Sequence, residues 1–332
     1  MSPERLVGAE ARRVDRGCAA ASEGVVAPVS LQTLRYASPG GADLHLDLYH
    51  PAGASGPLPV IVFIHGGAWR AGTRTTCPDL DRFFARDGFA MASIDYRLTP
   101  AGVFPRCVED VKTAVRFLRT HAAAYDLDPE RIGYWGLSAG GHLAAVAALA
   151  PRGTFEGTEW LDASSSVRCV LAAYAPTWFT TMDEEATTEA ATLRLARSGR
   201  RFQHDSPNSP ESRLVGAQIQ SVPERCREAS PITYVSAEAP PFLIMHGLAD
   251  DMVPVRQSVR LYDALSAAGA DVELRLIDGL PHMFFDRTEL DDVDGPFRME
   301  VRKHWRERGE HSVVERTGAF QAAREFFTKH LG

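Results

Sequence analysis

Gly136-Leu137-Ser138-Ala139-Gly140 is the stretch on which the reading of this chain turns. The apolar run Arg131-Ile132-Gly133-Tyr134-Trp135 precedes it, and an alanine-rich helical pattern from His142 to Ala150 follows, so these five residues form a sharp turn between a strand and a helix. Glycines two before and two after Ser138 let strand and helix pack closely and leave the hydroxyl exposed at the carboxyl end of a strand. The helix behind it aims unpaired backbone N–H groups and a positive dipole end at any negative charge that develops there. A hydrolytic nucleophile belongs in such a place. The pattern fixes only three positions in a chain with 27 glycines, however, so Ser138 needs further support.

Upstream, Leu58-Pro59-Val60-Ile61-Val62-Phe63-Ile64 reads as a buried strand that runs into His65-Gly66-Gly67-Ala68-Trp69. A glycine-rich turn there can present backbone N–H groups to the charged oxygen of a tetrahedral intermediate, each worth roughly 3 to 4 kcal/mol to the transition state. The candidates are Gly67 and Ala68, with Gly66 as a further participant and Ala139 after the nucleophile. His65 is expected to brace this turn rather than act as base. Downstream, Pro241-Phe242-Leu243-Ile244-Met245 is a second buried strand, ending in His246-Gly247-Leu248-Ala249-Asp250-Asp251, which offers two carboxylates. Val272-Glu273-Leu274-Arg275-Leu276-Ile277 is a third, ending at Asp278-Gly279-Leu280-Pro281-His282. An acid after one strand can orient an imidazole after the next, in the chain order Ser, Asp, His.

With these segments in view, the chain resembles the α/β-hydrolase superfamily, in its hormone-sensitive-lipase-like and BD-FAE-like carboxylesterase branch. Asp95-Tyr96-Arg97-Leu98, the segment from Phe104-Pro105 to Asp128-Pro129-Glu130-Arg131-Ile132, and Ala229-Ser230-Pro231-Ile232-Thr233-Tyr234-Val235 are similar to that group. The resemblance implies Ser138 as nucleophile, His282 as general base and Asp250 as orienting acid. Asp250 is preferred to Asp251 because the family's acid lies four residues after the histidine of the His-Gly turn. Ala68 departs from the glycine of many lipase-like relatives. The resulting His-Gly-Gly-X-Trp form also resembles kynurenine formamidases, which keeps amide substrates open.

At 332 residues, with 45% hydrophobic residues and no internal repeat, the chain fits one α/β domain over 29–332, preceded by an extension over 1–28. A formal charge of -7 argues against a general nucleic-acid surface. No apolar run reaches the length of a membrane span, and 1–28 lacks the apolar core of a secretory signal, so a cytoplasmic protein is expected. The five cysteines are odd in number and scattered, which suggests free thiols and no metal site. No metal or organic cofactor is expected.

Residues 31–36 and 44–49 alternate as an antiparallel pair at one sheet edge; strands near 60–64, 89–94, 131–135, 167–174, 242–245 and 272–277 then alternate with helices near 80–87, 109–124, 142–150, 255–268 and 318–330. The expected fold is a mostly parallel sheet with helices on both faces and active residues at the carboxyl ends of its strands. Two regions break the alternation, 178–222 and 287–315, and are candidate cap or lid-like loop insertions; Asp291-Asp292-Val293-Asp294-Gly295-Pro296 lacks the full calcium-loop pattern. Trp69, Trp178, Phe179, Met283 and Phe284 are candidate substrate contacts. Trp135 and His142 read as packing residues, and His204, His304 and His311 as exposed ones. The expected activity is hydrolysis of small to medium acyl or aryl esters through an acyl-enzyme, with a small-molecule ester as partner and homo-oligomerisation open. The alternatives are an arylformamidase or amidase and a non-catalytic ligand-binding protein.

Overall fold

Every residue of one central strand, Leu58–Ile64, is buried, a condition met only when both faces of a sheet are covered. The computed structural model describes residues 29–53, 56–186, 203–286 and 297–332. The extension expected over 1–28 and the Asp291-Asp292-Val293-Asp294 stretch lie outside them. Among the described residues the strands are β1 (Val29–Ala37), β2 (Leu44–Pro51), β3 (Leu58–Ile64), β4 (Ala90–Ile94), β5 (Leu127–Leu137), β6 (Val170–Ala173), β7 (Phe242–Gly247), β8 (Val272–Ile277), β9 (Arg298–Trp305) and β10 (Gly309–Arg316). They form one sheet in the order β1-β2-β4-β3-β5-β6-β7-β8-β9-β10. The span from β4 through β8 is parallel, and the antiparallel pairs lie at the two margins.

Successive side chains of a strand point to opposite faces, and β3 divides accordingly. Val60, Val62 and Ile64 join a core with Val108, Val111 and Leu118 of α1 (Arg106–Thr120), Leu143 of α2 (Ala139–Leu149) and Leu261 and Leu265 of a helix over Val255–Ala267. Ile61 and Phe63 join the opposite core with Trp135, Phe285 and the Phe320, Ala323 and Phe327 face of the last helix, Ala319–Leu331. Among the described residues three short helices lie between α2 and the Val255–Ala267 helix, α3 (Met182–Glu185), α4 (Pro210–Val215) and α5 (Pro223–Ala229), and the later two are α6 (Val255–Ala267) and α7 (Ala319–Leu331).

Two expectations need correction. Residues 80–87 are turns closed by a 3-10 turn over Ala85–Asp87 rather than a helix. Phe84 has φ of 71°, outside any helix, and that break sends its ring into edge contacts with Trp135 and Phe327. Within the region expected as a lid-like insertion over 287–315, residues from 298 onward are strands instead, with β9 antiparallel to β8 and β10 outside it. Met299 and Val301 of β9 are buried two residues apart, so the strand alternates, but charged neighbours hide the pattern.

Candidate active site

The turn after β5 is held by glycines with no room for anything larger. A Cβ on Gly136 would lie 2.2 Å from the Gly140 carbonyl oxygen, and one on Gly140 would lie 2.0 Å from the Ile64 oxygen. Between them Ser138 adopts φ 54° and ψ -119°, a conformation disfavoured for a residue with a side chain and kept because the surroundings fix it. Its N–H donates to the Ala173 carbonyl of the neighbouring strand at 2.9 Å. The serine is thereby lifted out of the sheet at the head of α2.

His282 and Asp250, expected in loops at the carboxyl ends of β8 and β7, converge on it. Ser138 Oγ lies 2.9 Å from His282 Nε2, and His282 Nδ1 lies 2.6 Å from Asp250 Oδ2. An ionised carboxylate only accepts, so Nδ1 carries a proton and Nε2 accepts from the serine hydroxyl. The other carboxylate oxygen, Oδ1, accepts the N–H groups of Met252 and Val253 at 2.8 and 2.9 Å. Burial opposes ionisation of Asp250, but the facing His282 and the hydrogen bonds from His246 and His282 outweigh it and hold the carboxyl well below the usual carboxylate range. The carboxylate that meets His282 is that of Asp250. Tyr174, at the end of β6, packs its ring edge-on against His282 at 4.7 Å, a contact the sequence did not announce.

The turn after β3 lies against the serine: a Cβ on Gly66 would stand 3.4 Å from Ser138 Cβ. Gly67, Ala68 and Trp69 have φ of 113°, 55° and 55°, and the carbonyl of Gly67 accepts from both Arg70 and Ala71. Among the described residues the N–H groups of Gly67 and Ala68 have no hydrogen-bond partner. Ala139 opens α2, where an N–H has no partner within its helix. His65 braces the turn. Its Nδ1 donates to the Gly66 carbonyl at 2.6 Å and its ring stacks on Tyr96, whose hydroxyl in turn reaches the His65 carbonyl at 3.0 Å. Burial pushes the His65 pKa down, which favours the neutral ring that this arrangement needs. Next to Tyr96, Arg97 grips Asp110 of α1 through two nitrogens, tying the loop after β4 to the helix that covers it.

The aromatic candidates separate. Trp69, Phe179 and Phe284 are 1%, 0% and 0% exposed, which corrects their reading as cavity walls: they are interior packing. Trp69 donates its indole N–H to His142 Nδ1 at 3.2 Å, and Phe179 packs against both rings. His142 Nε2 donates to the Ala229 carbonyl at 2.6 Å, and burial lowers its pKa to about 4, so it is a neutral link between the turn after β3 and α5. Trp178 is partly exposed and Met283 is half exposed beside His282. Gln257 of α6, unremarked in the sequence, pins the Trp178 segment, accepting from the N–H groups of Thr177 and Trp178 at 2.7 Å. His204, expected at the surface, is buried against Glu211 of α4 at 3.0 Å. Its partner lies seven residues on, in a stretch with no periodic pattern to announce the burial. Among the described residues no cluster of three or more histidine, cysteine, aspartate or glutamate side chains is arranged to hold a metal ion, and no helix is long and apolar enough to cross a membrane.

A serine on a glycine-flanked strand-to-helix turn, facing an imidazole and a carboxylate at the same rim of a mostly parallel sheet, is α/β-hydrolase architecture. The chain belongs to the BD-FAE family, whose model matches residues 46–265. It is 35% identical over 215 residues to the esterase LipC of Mycobacterium tuberculosis, covering 64% of this chain and 49% of LipC. The chain spans about half the length of the curated relatives it matches. Among solved structures, a truncated carbohydrate esterase from gut microbiota is 26% identical with a TM-score of 0.71, covering 92% of this chain and 97% of that one. Esterase 2 of Thermogutta terrifontis, solved with propionate bound, is 27% identical with a TM-score of 0.60, covering 80% and 88%; the same enzyme has been solved phosphorylated by paraoxon.

Proposed function

We propose that this chain is a serine carboxylic-ester hydrolase acting on small to medium acyl or aryl esters through an acyl-enzyme. The observation that carries the proposal is the continuous line from Ser138 Oγ to His282 to Asp250, at 2.9 and 2.6 Å. Ser138 is the nucleophile, His282 the base and Asp250 the acid that fixes the imidazole tautomer. As Ser138 attacks the ester carbonyl, His282 Nε2 takes its proton and Asp250 stabilises the imidazolium. The N–H groups of Gly67, Ala68 and Ala139 face the charge that appears on the carbonyl oxygen, with Gly66 completing the turn. His282 returns the proton to the departing alcohol, then draws one from water, which attacks the acyl-enzyme and frees the acid. Trp178, partly exposed, and Met283, half exposed and next to His282 in the chain, are the substrate contacts in this reading. The free thiols of Cys77, Cys107, Cys169 and Cys226 support a cytoplasmic setting.

A panel of p-nitrophenyl esters of increasing acyl length, run beside N-formyl aromatics, tests the proposal together with fluorophosphonate labelling. Ester turnover and labelling at Ser138 are expected. Turnover of the formamides alone would move the chain to the amidase alternative, and folded protein that resists labelling would leave a ligand-binding role.

A further inference from the structure

The carboxylate of Asp250 is held by more than the proposed reaction requires. Besides the two backbone N–H groups on Oδ1 and His282 Nδ1 on Oδ2, a second imidazole reaches Oδ2: His246 Nε2, at 3.0 Å. His246 is the last residue but one of β7, four before Asp250, and is fully buried. Its Nε2 donates its well-aligned hydrogen bond to the Val253 carbonyl at 3.1 Å, with Asp250 Oδ2 as a second, less aligned acceptor, so Nε2 carries a proton. Its Nδ1 lies 2.7 Å from Ser258 Oγ of α6, which is fully buried as well. A neutral ring with its proton on Nε2 accepts from the Ser258 hydroxyl and leaves no member of the set unsatisfied. The result is a chain, Ser258–His246–Asp250–His282–Ser138, with the carboxylate at its centre and the two imidazoles presenting opposite ring nitrogens to it.

We propose that His246 is a positioning residue for the reaction: its Nε2–H, oriented by Ser258, fixes Asp250 Oδ2 opposite His282 and takes a share of the carboxylate charge. The inference rests on the ester-hydrolase reading of the same site. A carboxylate oxygen shared by two donors presents less charge to either one, so the inner imidazole moderates how strongly Asp250 holds a proton on His282. Among the described residues the titratable group that His246 meets is Asp250, and through it His282. Two functions separate here. Orientation acts on kcat, because a small displacement of the imidazole is costly, whereas charge sharing acts on the strength of the hydrogen bond from His282 Nδ1–H to Asp250.

The test replaces His246 with Leu, which keeps bulk but no donor, and with Gln, whose amide nitrogen reaches the position of Nε2. Ser258→Ala, a smaller change, leaves Nδ1 without its donor. In His246→Leu, kcat per fluorophosphonate-titrated site should fall about tenfold or more with KM little changed. The Nδ1–H proton of His282, followed by NMR of histidine-labelled protein, should move further downfield, because Asp250 then accepts from one imidazole fewer. His246→Gln should restore both, and Ser258→Ala should move both in the direction of His246→Leu. A folded His246→Leu protein with wild-type kcat per site and an unmoved His282 resonance would overturn the inference. If that variant does not fold, an unmoved resonance in Ser258→Ala overturns it instead. Because the NMR readout needs no turnover, a wild-type protein inert toward esters would sink the hydrolase reading while the coupling of His246 to His282 is still measured.

Discussion

Asp250 and Asp251 are adjacent in sequence and chemically identical, and it is the first that meets the imidazole at 2.6 Å, because the turn after β7 directs its carboxylate inward onto the Met252 and Val253 N–H groups. Asp250→Asn should lower kcat about ten-thousand-fold, since an amide can stabilise the wrong tautomer of His282, while Asp251→Asn should leave kcat within a few-fold. Steady-state kinetics on one aryl ester separates them, and the reverse order would move the acid by one residue. Ser138→Ala should abolish labelling and lower kcat about a million-fold if the three side chains act as a unit. The convergence of Ser138, Asp250 and His282 was legible because each sits beside glycines or after an apolar run, signals that survive in a single sequence. The pocket was not. Trp69 and Phe179 look in sequence like Trp178, and only the fold decides which aromatic is sealed in and which reaches solvent.

At the scale of elements, the strands and long helices follow from periodicity, and the failures have physical causes. The 80–87 segment has helical spacing, but the core draws Phe84 inward and breaks it. Trp135, beneath the serine turn on β5, collects edge contacts from Phe63, Phe84, Phe285 and Phe320 at 5.0 to 6.2 Å, joining β3, the 80–87 segment, the loop after β8 and α7. Trp135→Ala should therefore cost about 3 to 5 kcal/mol, read as a lower midpoint in urea. A variant as stable as wild type would mean that these rings repack freely around the gap. The β9–β10 pair escaped notice because Arg298, Glu300, Arg302 and Lys303 crowd the two buried residues that make β9 a strand.

For the whole molecule, the burial of His142 makes stability depend on pH. His142 is held neutral with a pKa near 4, against about 6.5 when unfolded, so between those values the unfolded chain binds the extra proton and stability falls as the solution is acidified. The loss begins near pH 6.5, reaches about 3 kcal/mol and levels off near pH 4. Urea unfolding at pH 7.5 and 5 should show it in the wild type and show a smaller difference in His142→Gln; equal differences would exclude His142 as the source. The outermost antiparallel pair has a mechanical consequence of its own. Had the sheet stopped at β8, the strand leading to His282 would be a margin, fraying with the ease of any unpaired border. With β9 and β10 outboard, that strand is fenced on both sides, so its amides should exchange with deuterium only through global opening, and trimming the fence should loosen the imidazole long before it unfolds the protein.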